Sequence, residues 1–160
     1  MLGPLSVGLA RTFQAPCRVE ESRLDPRFAY DPGRSQYYST AILEKLAAQA
    51  KGAARILGVA SVDLYVPILT FVFGEAQLEG PCAVVSSYRL PEPGRPELLR
   101  ERLLKEATHE LGHTHGLRHC EDWNCVMASS HSVERLDVKS AEFCAKCVKT
   151  IRNFHRNGSR

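Results

Sequence analysis

A chain of 160 residues, 44% apolar and 24% charged, is long enough to bury one core and too short for two ordinary domains. We expect a single domain over 1–160, divided into an N-terminal subdomain over 1–116 and a C-terminal one over 117–160. A net charge of +3 does not call for a polyanionic partner, so nucleic acid is not expected.

The basic residues Lys146, Lys149, Arg152, Arg156 and Arg160 follow the last acidic one, Glu142, and read as a solvated helix end and tail. No basic segment precedes the apolar start, and no apolar run reaches the length of a membrane span. A cytoplasmic location is therefore expected. In a reducing compartment, six cysteines point to metal rather than to disulfides.

In chain order, residues 5–10 read as a first strand, followed by a connection through Pro16, Pro26 and Pro32. Residues 37–57 read as a helix: Ile42, Leu46, Ala50 and Ala53 recur at three- and four-residue steps, the alanines favour helix, and Gly58 is a natural stop. Pro67 divides the next apolar stretch into strands over 62–66 and 69–73. Gly80-Pro81 marks a turn before a strand over 82–88. Pro96 opens a helix over 97–116, with Leu103, Ala107 and Leu111 on one face. A last helix is expected over 141–154, capped by Ser140. Strands and helices in this order predict an α/β or α+β fold, helices packed on a sheet.

The chemistry is concentrated in His109-Glu110-Leu111-Gly112-His113-Thr114-His115-Gly116-Leu117-Arg118-His119. Four residues apart on a helix, His109 and His113 project from one face and can share a Zn²⁺ at about 2.0–2.1 Å. Glu110 lies beside them as a general base that is not itself a ligand. Gly116 permits a turn that returns His119 as third ligand, and three protein ligands leave a fourth position open for water, as in a catalytic site. HExxH alone arises by chance in roughly 0.02 of chains of this composition, but the eleven-residue pattern in only roughly 4 per 100,000. His115, His131 and His155 lie off this pattern and read as bystanders.

Cys120, Cys125, Cys144 and Cys147 fall within 28 residues, the last two as CxxC. That spacing fits a closed, structural Cys₄ zinc, which would staple a segment poor in apolar residues. Two zinc ions per chain are thus expected. Cys17 and Cys82 stand apart and read as ordinary packing. Because Cys120 adjoins His119, the two metals should be mechanically coupled.

His109 to His119 resembles the extended zinc motif of the metzincin metallopeptidases. With Cys120, Cys125, Met127, Cys144 and Cys147, it resembles the signature of the archaemetzincins, over about a quarter of the chain, residues 109–147. The stretches 62–67 and 71–76 resemble the family less specifically. The resemblance implies a twisted mixed sheet with a backing helix and an active-site helix, then a small zinc-stapled C-terminal subdomain. It also implies that Met127 is the Met-turn methionine beneath the ligands, that 81–88 is the edge strand lining the cleft, and that the substrate is a peptide. No tyrosine adjoins Met127 to act as a further ligand. Two other readings stay open at this point: a SprT-like DNA-associated metalloprotease, and a zinc-binding interaction protein without catalysis.

Overall fold

A computed structural model of the chain describes residues 1–20, 24–50, 52 and 55–158. The first element is a helix, α1 (Leu2–Phe13), where a strand was expected. The segment Leu5-Ser6-Val7-Gly8-Leu9 alternates in hydrophobicity, which mimics a strand, but Leu5 and Leu9 also stand one helical turn apart. Burying both against Leu103, Ala107 and Leu111 of the helix that follows Pro96 decides for the helical period. Gly8 allows the close approach, since a Cβ there would lie 2.8 Å from Leu104 Cδ1.

Two short strands follow, β1 (Tyr30–Asp31) and β2 (Gln36–Tyr38), and then helix α2 (Ser39–Ala47). The helix expected over 37–57 is therefore trimmed at both ends. Tyr37 and Tyr38 pair in parallel with Leu64 and Tyr65 of β4, so their backbone is committed to a sheet. At the other end, Ile56 begins β3 (Ile56–Ala60), which pairs along its whole length with β6 (Cys82–Ser86). Ala53 and Ala54, part of the expected helical face, lie outside the described residues.

The expected strand over 62–66 survives only as β4 (Leu64–Tyr65). Over 69–73 no strand forms beyond a single bridge between Leu64 and Val72; the strand begins one residue later, as β5 (Gly74–Ala76). The segment before it is held by side chains instead. Arg34 donates to the Leu69 and Thr70 carbonyls at 2.8 and 3.2 Å, and Gln36 donates to Thr70 O at 2.9 Å.

The main sheet has the order β3-β6-β5, with β6 parallel to β3 and antiparallel to β5. β6 is thus central, and the edge lining the cleft is β5, which corrects the placement implied for 81–88. Two-residue periodicity gives β6 a buried side chain on each face. Ala83 and Val85 join a core with Leu5, Leu103, Ala107 and Leu111, while Val84 joins another with Ile42 and Leu64.

Helix α3 (Pro96–Thr114) crosses the first of these faces, with Pro96 in its first turn as expected. Its buried Arg102 is satisfied by Asp137 at 2.6 and 2.7 Å, by Glu92 at 2.7 Å and by Leu90 O at 2.8 Å. The Asp137 contact docks the short helix α4 (Val133–Val138). The final helix α5 (Ala145–Gly158) starts later than expected because Ser140 closes a local turn, accepting from Glu142 N at 3.0 Å. No helix among the described residues is long and apolar enough to cross a membrane.

Candidate metal centre and cleft

Helix α3 carries His109, Glu110 and His113 through its last turns and stops at Gly116, whose φ of +82° is a backbone conformation that glycine adopts without strain. Leu117 N then bonds to Gly112 O at 3.1 Å and Cys120 N to Met127 O at 2.9 Å, which folds residues 117–127 back beneath the helix. The turn brings His119 to within 5.2 Å of the His109 ring and 5.1 Å of the His113 ring, centre to centre.

His109 Nδ1 donates to Val126 O at 2.8 Å and His113 Nδ1 to Leu117 O at 2.7 Å. A carbonyl only accepts, so both rings carry their proton on Nδ1 and present a bare Nε2. These two Nε2 atoms lie 3.2 Å apart. Tetrahedral ligands about 2.05 Å from zinc would be about 3.3 Å apart. Burial holds the His109 proton affinity well below the usual histidine value, helped by the positive charge of Lys139, and burial also lowers His113 and His119. Neutral imidazole is the form that binds metal.

The sulfur cluster fits as well. Cys120 and Cys144 Sγ are 3.8 Å apart, as are Cys125 and Cys147 Sγ; ligands about 2.3 Å from a tetrahedral zinc would be about 3.8 Å apart. Cys125 Sγ accepts from the backbone N–H of Cys144 at 3.3 Å and of Met127 at 3.5 Å. The Cys147 amide draws the Cys144 thiol down, while burial, and then the neighbouring Cys125, push Cys147 up. A cation would resolve this crowding of thiols. Cys82 is buried, as expected, whereas Cys17 is exposed and packs against no core.

Met127 is fully buried against α3, and a Cβ on Gly112 would come within 2.5 Å of its Sδ. Glycine at 112 is what lets the sulfur press against the helix. Glu110 is buried and faces a cleft of about 540 Å³. Burial, reinforced by the negative charges of Glu106 and Glu75 and opposed by Lys139, raises its proton affinity well above the usual carboxylate range.

Several residues at the site lie outside the histidine and cysteine motifs. Lys139, 1% exposed, reaches Glu106 Oε1 at 3.2 Å and Ala128 O at 3.1 Å, tying the chain after Met127 to α3. Glu75 is held by Ser39 and by Thr40 at 2.8 Å. Arg118 and His131, the latter expected to be a bystander, both line the cleft. His115 is buried, stacked on Phe13 at 5.0 Å.

The model of peptidase family M54 matches residues 27–153. An archaemetzincin of Methanopyrus kandleri is 49% identical over 134 residues, which are 83% of this chain and 76% of that protein. The chain belongs to peptidase family M54, the archaemetzincins. The crystal structure of archaemetzincin from M. kandleri superposes with a TM-score of 0.87 at 41% identity, covering 99% of this chain and 86% of that one. That from Archaeoglobus fulgidus, complexed with malonate, gives 0.84 at 40% identity, covering 93% and 90%. As a member of this family the chain is a zinc metallopeptidase, and the comparisons do not favour the SprT-like and non-catalytic readings.

Proposed function

We propose that the chain hydrolyses peptide bonds at a centre where His109, His113 and His119 hold zinc and Glu110 is the general base. In this reading Cys120, Cys125, Cys144 and Cys147 hold a second zinc that staples residues 117–160 onto a single metallopeptidase domain. The observation that carries it is the 3.2 Å separation of two Nε2 atoms whose rings have both committed their Nδ1 protons elsewhere. Two lone pairs converging on one point repel unless a cation lies between them.

When bound, zinc supplies Lewis acidity, lowering the pKa of water and polarising a carbonyl. Glu110 accepts the proton of the attacking water and delivers it to the leaving nitrogen. Among the described residues no donor occupies its carboxylate, which leaves both oxygens for that exchange.

An extended substrate has a strand to pair with. Ser86 N donates to Phe73 O at 2.7 Å and Gln77 N to Cys82 O at 3.0 Å. Antiparallel alternation then turns the backbone groups of Gly74 and Ala76 away from β6, toward the cleft. Peptide addition to this edge supplies main-chain affinity. The exposed basic face of α5 is read as a solvated surface, with no nucleic-acid role.

The test is digestion of a peptide library by wild type and E110Q at equal zinc content. Cleavage lost only in the variant is expected; an E110Q enzyme with wild-type turnover would refute the assignment of the base.

A further inference from the structure

Glycine can be required for two reasons, a positive φ or a close approach, and Gly74 has only the second. Its φ lies outside the positive range in which Gly52, Gly94 and Gly116 sit. Yet a Cβ on Gly74 would lie 2.6 Å from Glu110 Cγ, 2.9 Å from Glu110 Oε1 and 2.6 Å from Val84 O. Contacts this short force something to move, and little nearby is free to do so. Val84 is buried in the central strand, and Phe73, next to Gly74, is buried in the core under α3. No protein hydrogen bond among the described residues orients the Glu110 carboxylate, so the packing of β5 against it is the restraint on that side.

We propose that Gly74 is a positioning residue: lacking a side chain, it lets the substrate-pairing strand lie directly on Glu110, so that the base and the outward backbone groups of β5 address the same peptide bond. This rests on the reading of Glu110 as base and β5 as docking edge. Adding one carbon at 74 displaces either the carboxylate or the strand. Misplacement on the order of 1 Å at a reacting centre lowers turnover by about 100-fold.

The test compares G74A with G58A, using a fluorogenic peptide that the wild-type enzyme cleaves. Gly58 is a strand glycine outside the cleft lining, where a Cβ would meet one atom closely, the Leu46 Cδ1 methyl at 2.7 Å. G74A should keep its zinc but lose about 100-fold in kcat with a much smaller change in KM. G58A should lower the melting temperature and leave kcat unchanged. Wild-type kcat in G74A would overturn the proposal.

A second measurement does not involve turnover. In an E110A background the Glu110 Cγ and carboxylate are absent, so G74A should lower the melting temperature by less than it does in the wild-type background. An equal decrement in both overturns the proposal. Should G74A alone fail to fold, a cooperative melt recovered in G74A/E110A supports it, and no recovery overturns it. An active E110Q would sink the assignment of the base, while this thermal comparison judges the Gly74 contact by itself.

Discussion

Lys139→Met removes a buried ammonium and leaves Glu106 without its partner. The pair is 3.2 Å apart, with side chains 1% and 5% exposed, so solvent screens it little. At an effective dielectric constant of about 20, two unit charges at the observed 3.2 Å attract by about 5 kcal/mol. Removing one member of such a pair typically costs about 3–5 kcal/mol, since the remaining charge stays buried. For a domain of this size that lowers the melting temperature by about 6–20 °C. The Lys139 bond to Ala128 O is lost as well, which loosens the chain following Met127. Differential scanning calorimetry on K139M, and on E106Q/K139M, measures both terms. The double variant carries no stranded charge and should recover most of the loss. A decrement below about 1 kcal/mol in K139M, or no recovery in the double variant, would refute the role given to this ion pair.

If the four sulfurs hold zinc as proposed, Cys144→Ser should lower the zinc content and loosen the segment that carries His119, because Cys120 adjoins that residue; zinc emission analysis and a turnover assay check this, and full metal content with full activity contradicts it. Gly116→Ala places a Cβ at φ +82° and 3.1 Å from Phe154 Cδ2, so a loss of about 1–2 kcal/mol is expected in chemical denaturation; an unchanged midpoint would show that the turn bears no strain. The hydrogen bonds from Arg102 hold the Asp137 carboxyl below its ordinary value of 3.8. A depressed acid stabilises the fold fully above its unfolded-state pKa and loses that contribution as the pH falls through the lower folded value. D137N should therefore be less stable than wild type at neutral pH, with the gap closing as the pH falls below 3.8; a gap independent of pH contradicts the linkage.

The clustering of the three histidines and of the four cysteines was legible because it is local or marked by rare side chains. His109 and His113 share a helix, Gly116 marks its end, and the four cysteines converge as their spacing suggests. What could not be read depends on which segments meet. Leu5 and Leu9 suit a helix or a strand until α3 supplies a surface for them. Tyr37 and Tyr38 look helical until β4 lies alongside. That β6 is central follows from pairing with β3, more than twenty residues earlier in the chain. Glu106 and Lys139 carry no motif, and the stretch that contains Gly74 resembles the family without marking that glycine; these residues meet only where α3, β5 and the chain after Met127 converge.

The central claim concerns where zinc sits, and an anomalous-difference map of crystals of the purified protein, recorded at the zinc edge, tests it most directly. Two peaks per chain are expected, one at about 2.0–2.1 Å from Nε2 of His109, His113 and His119, the other at about 2.3 Å from the four sulfurs. A map of zinc-replete crystals with no peak among the three histidines would contradict it.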